Sequence, residues 1–157
     1  MAKEFDIAKE FGLEGVMQLS GTVGVKAGIL EGATNNETGE SVAEYAAHNE
    51  FGSRDIPSRP FLRKTYDDKE SSWVQGLGNA LTRLPPAKAL KMLGIRMQDD
   101  IVATIKSNMP PRNSAATIAR KTKGVTRGGQ TVGSHNPGTL IDTGSMINSV
   151  NYEVFGA

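Results

Sequence analysis

Residues 140–145 read Leu-Ile-Asp-Thr-Gly-Ser, the arrangement found in the catalytic loop of aspartic proteases. That chemistry needs two aspartates sharing one proton, because adjacent carboxylates cannot both ionise, and a homodimer would supply the second. Such enzymes are nearly all strand and continue well beyond the loop, whereas only fifteen of this chain's 157 residues follow Asp142. The alternative is that Asp142 or Thr143 is the N-cap of a short final helix, accepting from its free N–H groups. We adopt this alternative and predict no catalytic residue.

The sequence offers no set of residues with the spacing of a metal or cofactor site. His48 and Glu44 are four residues apart on a predicted helix, but two ligands seldom form a metal site. His135 lies in a separate segment, and the chain has no cysteine, which excludes thiolate ligands and a cysteine nucleophile. The run GTVGVKAG has neither dinucleotide-binding nor phosphate-loop spacing. We therefore expect no metal, no cofactor and no enzymatic activity.

A basic stretch in the second half of the chain is the main charge feature. No acidic residue occurs between Asp100 and Asp142, and six cations fall within residues 106–127. They are Lys106, Arg112, Arg120, Lys121, Lys123 and Arg127. Clustered cations bind nucleic-acid phosphates by releasing counterions, but no aromatic residue alternates with them to stack on single-stranded bases. The stretch predicts a contact with DNA or with an acidic protein partner, or else a solvated arm.

The composition is otherwise that of an ordinary soluble domain. The net charge is +1, with 22% charged and 38% hydrophobic residues, so no general attraction to nucleic acid or membrane is expected. No run of 18 apolar residues predicts a membrane span, and the acid-containing N-terminus is unlike a signal peptide. The length predicts a single domain over residues 1–157. We expect the protein to be made in a cytoplasm.

Two helix signals lie in the first half of the chain. Ser41 and Glu44 have the spacing of a capping box and Gly52 follows as a stop, which predicts a helix ending near Gly52. Apolar residues at near-helical intervals predict a second helix from Phe61 to Leu84.

The strongest helix signal covers residues 87–108. Its apolar residues step by three or four positions, which predicts a long amphipathic helix. They are Leu90, Leu93, Met97, Ile101 and Ile105. After Pro110 and Pro111, Ser114 is expected to cap a short helix through Arg120.

Alternating apolar residues predict strands over residues 22–30 and 149–155. The expected fold class is α+β, with a small antiparallel sheet of these strands packed on the 87–108 helix and with extended loop and arm segments. The apolar residues of positions 1–20 fit neither the helical nor the strand period, and this segment is expected to form an N-terminal arm. The glycine-rich residues 122–138 predict a flexible arm or a hairpin.

Two segments carry a recognisable pattern. In the first, VKAGIL precedes SVAEYAAHNEFGSRDIPSRPFLR, and in the second, NSAATIARK precedes TLIDTGSMINSVNYEV. Over residues 22–64 and 112–155 they resemble the virion-morphogenesis proteins of tailed bacteriophages, of the neck and tail-completion (head–tail connector) type. The matching positions of the first segment are Val25, Gly28, Ile29, Ala46, Asn49, Glu50, Phe51, Gly52, Ile56, Pro57, Arg59, Pro60, Phe61, Leu62 and Arg63.

The resemblance implies a non-enzymatic structural virion protein at the head–tail junction. Six or twelve copies are expected to form a ring around the DNA channel that joins the portal or adaptor side to the tail. The implied partners are other copies, neighbouring virion proteins and packaged DNA, with no membrane. The implied location is the virion, and the host cytoplasm during assembly. The alternatives are a tail-terminator protein and a nucleic-acid-binding module that uses the basic stretch.

The loop between the first two predicted helices is expected to be rigid and to carry residues that contact a neighbouring subunit. Pro57 and Pro60 lower the entropy lost on ordering, arginines pair with carboxylates of a neighbour, and phenylalanines anchor in a core or an interface. The residues assigned to this contact are Phe51, Arg54, Arg59, Phe61 and Arg63. For Arg59 and Phe61 a second interpretation stays open, namely that they hold the loop to its own domain.

Overall fold

The computed structural model describes most of the chain from Val23 onward. The described residues are 23–29, 33–34, 39, 41–123, 125–127, 130–132, 138–140 and 144–156, with the backbone alone for 125–127 and 130–132. In chain order their elements are β1 (Gly24–Ile29), α1 (Val42–Phe51), α2 (Phe61–Leu81), α3 (Pro86–Lys106), α4 (Ala115–Lys123), β2 (Val125–Arg127), β3 (Gln130–Val132), α5 (Ser145–Asn148) and β4 (Val150–Phe155).

Strands β1 and β4 form a two-stranded antiparallel sheet, in which Gly24 lies opposite Phe155 and Lys26 opposite Glu153. Both strands pack one face against α3. The other face carries an exposed ion pair between Lys26 Nζ and Glu153 Oε2, at 3.1 Å. The predicted α+β class is therefore confirmed, including the pairing of the first and last strands over the third helix.

The apolar core has two parts, one at each end of the α2–α3 pair. The larger cluster joins α1, α2, α3, α5 and β4, and its most buried members are Phe61, Ile105 and Leu140. The smaller cluster joins Leu77 of α2 to Leu90 of α3 and is covered by the start of β1. Full burial of one such side chain contributes about 1.5–3 kcal/mol, so these helix and sheet contacts determine the fold.

Helix α3 approaches the sheet closely at Gly94. A Cβ atom added there would lie 2.2 Å from Cδ2 of Tyr152, so the tyrosine ring occupies the space that a side chain would need. One turn later, Gln98 Nε2 donates a hydrogen bond of 2.8 Å to the carbonyl oxygen of Val150. Glycine at position 94 therefore sets the distance between α3 and β4.

The sides of α3 do not divide cleanly into apolar and polar faces. Of the predicted stripe, Leu90 and its two isoleucines are buried. However, Met92 and Ile95 are exposed, whereas the charged Asp100 is buried. The helix is confirmed at Pro86–Lys106, but the simple amphipathic description of it is not.

The boundaries of α1 match the sequence signals. Ser41 Oγ accepts a hydrogen bond of 3.3 Å from the backbone N–H of Glu44, as expected for a capping box. Gly52 ends the helix with φ 80°, a left-handed value that favours glycine, and its N–H donates to the carbonyl of His48. Both the start and the stop of this helix were predictable from local residue types.

The N-cap of α5 lies after the two residues predicted for it. The helix begins at Ser145, so Gly144, with φ 83°, occupies the N-cap position and has no side chain with which to cap the helix. Asp142 and Thr143, the predicted caps, lie outside the described residues. A glycine can adopt this backbone conformation without a Cβ clash, so the turn itself starts the short helix.

The two predicted arms are described only in part. Helix α4 continues to Lys123, and β2 and β3 pair antiparallel with Arg127 opposite Gln130. The hairpin alternative for residues 122–138 is therefore the one observed where the structure describes them. The predicted N-terminal arm, residues 1–20, lies outside the described residues.

Candidate functional site

The loop that joins α1 to α2 is fixed by a buried carboxylate. Glu50 is only 3% exposed, and its Oε2 accepts from the N–H of Leu62 at 2.8 Å. Its Oε1 accepts from Arg63 N at 3.1 Å and from Arg63 Nε at 3.0 Å. The first N–H groups of a helix lack intrahelical partners and favour negative charge. Because Pro60 at the N-cap offers no side-chain cap, Glu50 from the preceding helix performs that role.

Arg59 is the second tether of the same loop. Its Nε donates to the carbonyl of Pro111 at 2.9 Å, and its Nη2 donates to Asn113 Oδ1 at 3.2 Å. Its backbone N–H donates to the carbonyl of Asn49 at 2.6 Å. Desolvation by burial lowers the pKa of the Arg59 guanidinium, while Tyr45 acts in the opposite direction. Arg59 therefore ties the loop to the segment that follows α3.

The hydrogen-bond network continues from Asn113 to the segment before α5. Asn113 Nδ2 donates to the carbonyl of Gly138 at 3.0 Å, and Lys121 Nζ donates to the same oxygen at 2.8 Å. Nearby, the N–H of Thr139 donates to Asn108 Oδ1 at 3.0 Å. Segments that are distant in sequence thus meet at polar contacts, in addition to the apolar contacts of Met109 and Leu140 in the larger cluster.

The five residues assigned to a subunit contact fall into a buried pair and an exposed group of three. Phe61 is fully buried and Arg59 is 5% exposed, so both hold the loop to its own domain, which corrects their assignment to an interface. Phe51, Arg54 and Arg63 remain at the surface. We call these three residues the Phe51 surface.

Phe51 is the most exposed large apolar residue that the structure describes in α1 and its following loop, at 68%. The guanidinium carbon of Arg63 lies 5.3 Å from the centre of its ring, within the range of a cation–π contact. Glu50 beside it and Gly52 after it fix the backbone at this point. A rigidly mounted, solvent-facing aromatic ring is the kind of side chain that anchors protein interfaces.

The predicted basic set is also divided by burial. Lys106, Arg112, Arg120 and Lys123 are exposed, and none of them forms an ion pair within the described part of the chain. Lys121 is 5% exposed and points to Gly138. It is therefore removed from the candidate DNA or acidic-partner surface, because its charge is engaged inside the molecule. The side chain of Arg127 lies outside the described residues.

Titratable side chains that could take part in chemistry have structural or solvent-exposed positions. Asp100 Oδ2 accepts from Trp73 Nε1 at 2.8 Å and from Arg96 Nε at 3.1 Å, linking α2 to α3. His48 and Glu44 are exposed on α1. Among the described residues, no group of three or more His, Cys, Asp or Glu side chains is placed to hold a metal ion. No described helix combines the length and apolarity needed to cross a membrane.

Sequence reasoning missed the roles of Glu50 and Asn113. Glu50 caps a helix that starts eleven positions later, and Asn113 contacts a residue 54 positions away. Neither contact is indicated by the spacing of neighbouring residues in the sequence. The one usable hint was Pro60 just before a helix, a position with no capping side chain that must be satisfied from elsewhere.

Comparison with known proteins adds no further assignment. No protein-family model matches this chain, no curated protein is significantly similar to it in sequence, and no solved structure is significantly similar to it.

Proposed function

We propose that this chain is a structural virion protein of a tailed bacteriophage, located at the head–tail junction. Several copies form a ring around the DNA channel and join the portal or adaptor side to the tail. The proposal rests on the resemblance of residues 22–64 and 112–155 to neck and tail-completion proteins. We expect the ring to contain six or twelve copies of the chain.

The Phe51 surface is the structural observation that supports the proposal most. The Phe51 ring is 68% exposed, and the buried side chains of Glu50 and Arg59 hold the backbone on either side of it. A rigid contact residue loses little entropy on binding. When each chain contacts the next copy through two different patches, the repeated contact can close into a ring. The Phe51 surface would provide one of those patches.

A genetic experiment tests the junction role directly. In the phage that encodes this chain, deleting the gene is expected to leave filled heads and separate tails, because the two parts cannot be joined. Supplying the wild-type chain restores whole particles, whereas a Phe51→Ser chain does not. Normal numbers of joined, infectious particles from the deletion phage would contradict the proposal. A phage with intact junctions but tails of uncontrolled length would indicate the tail-terminator role instead.

A nucleic-acid-binding role is the second candidate, and it is favoured by four exposed cations that form no ion pair with the described residues. They are Lys106, Arg112, Arg120 and Lys123. If all four contact phosphates, the logarithm of the duplex affinity falls against the logarithm of salt concentration with a slope of about −3.6. Binding that is absent at low salt, or that has no such dependence, would exclude this role. In the junction proposal the same cations face DNA that passes through the channel.

A further inference from the structure

The outer side of α3 carries an apolar patch without a partner in the described residues. Met92 is 55% exposed and Ile95 is 44% exposed. Lys88 and Lys91 flank them, are exposed, and have no ion pair within the described part of the chain. We call these four residues the α3 outer patch. Two large apolar side chains beside two unpaired cations suit a partner that is both apolar and acidic.

Residues 1–22 of this chain have that complementary composition. They contain four carboxylates against two lysines, so their side chains have an excess of two negative charges. The acids alternate with large apolar residues over the first fourteen positions. The acids are Glu4, Asp6, Glu10 and Glu14, and the apolar residues are Phe5, Ile7, Phe11 and Leu13.

Val23, to which this segment is joined, packs on the side of α3 opposite the patch. Val23 packs against the cluster that contains Leu77 and Leu90. Leu90 faces inward on α3, and Met92, two positions later on a helix of 3.6 residues per turn, points about 200° away. Val23 therefore lies on the inner side of α3, whereas the patch lies on the outer side of the same half of the helix.

We propose that residues 1–22 of one copy bind the α3 outer patch of a second copy. The apolar residues of the segment cover Met92 and Ile95, and its carboxylates pair with Lys88 and Lys91. Donor and acceptor are different surfaces, so the contact is heterologous and can close into a ring. The inference rests on the proposed function in one respect only, that the protein assembles with copies of itself.

Photo-crosslinking of the full-length protein tests this contact, because the chain has no native cysteine. Met92→Cys is labelled with a benzophenone maleimide and mixed with ¹⁵N-enriched wild-type protein, which has no cysteine and carries no label. After illumination, mass spectrometry identifies the crosslinked peptides. We expect crosslinks to ¹⁵N peptides from residues 1–22. The matched control is Asp67→Cys, an exposed position on α2, which should yield no enrichment for that segment.

Charge reversal gives an independent readout of the same contact. Lys88→Glu with Lys91→Glu should weaken self-association by about two- to thirtyfold, because the two exposed ion pairs together contribute about 0.4–2 kcal/mol. Mixing this variant with a Glu10→Lys, Glu14→Lys chain should restore it. Lys26→Glu with Lys64→Glu makes the same charge change at exposed positions outside the candidate surfaces and should have little effect on self-association.

The possible results separate this contact from the proposed function. Crosslinks confined to the labelled chain, crosslinks outside residues 1–22, or no self-association at all would overturn the proposed contact. Particles that contain the chain at a ring copy number, together with any of those results, would leave the junction role standing and reject only this binding mode.

Discussion

The carboxylate of Glu50 accepts a hydrogen bond from Arg63 Nε at 3.0 Å, and through this pair the end of α1 is joined to the start of α2. The same carboxylate accepts from two backbone N–H groups of α2. Arg63 in turn lies over the ring of Phe51. One buried acid thus caps a helix and orients the arginine that packs on the exposed aromatic residue.

Replacing Glu50 by glutamine should destabilise the protein by about 1–3 kcal/mol, because helix N–H groups lose a charged acceptor in a buried site. The measurement is the free energy of unfolding from a urea titration. Glu44→Gln is the matched control, since Glu44 is exposed and should change that free energy by less than about 0.5 kcal/mol. Equal effects at the two positions would show that Glu50 does not cap α2.

Arg59→Met should lower the free energy of unfolding by about 2–4 kcal/mol, because Pro111 and Asn113 each lose a hydrogen bond from a charged donor. Arg54→Met removes an exposed arginine of the same loop and should leave stability unchanged. A stable Arg59→Met monomer that fails only to assemble would instead return Arg59 to the subunit interface.

Gly94→Ala should destabilise the protein by about 1–3 kcal/mol, because the new methyl group enters the space of the Tyr152 ring. Gly76→Ala on α2 has open space around it and should stabilise by up to about 1 kcal/mol through helix propensity. Thermal unfolding of both variants gives the comparison. Similar stabilisation by the two changes would contradict the close approach of α3 to β4.

Phe51→Ala should leave the free energy of unfolding within about 0.5 kcal/mol of the wild-type value, because the ring is mostly solvent-exposed. It should nevertheless abolish or strongly weaken assembly, which sedimentation and electron microscopy can follow. Phe61→Ala provides the contrast, with a loss of about 3–5 kcal/mol from a fully buried position. Normal assembly of the Phe51→Ala protein would remove the Phe51 surface from the interface.

The features that could be predicted from the sequence are those with local signals. The capping box at Ser41 and the stop at Gly52 depend on neighbours within four residues, and strand alternation determined which residues of β1 and β4 face the core. The position of Gly144 at the N-cap followed from backbone geometry that neighbouring residue types did not indicate.

Long-range polar contacts could not be predicted in this way. Lys121 looked like one more member of a basic stretch, but folding directs it to the carbonyl of Gly138. Arg59 and Phe61 fit a subunit contact and an internal anchor equally well until their burial was known. Met92 and Ile95 lie outside the predicted apolar stripe, and their exposure depends on which side of α3 the sheet and α2 cover.

The copy number of this chain in purified phage particles tests the central claim most directly. Quantitative mass spectrometry against the major capsid protein measures it. The account predicts a small fixed number, six or twelve per particle, as a single ring at the junction requires. Absence of the chain from finished particles, or a number that varies between preparations, would contradict the structural role.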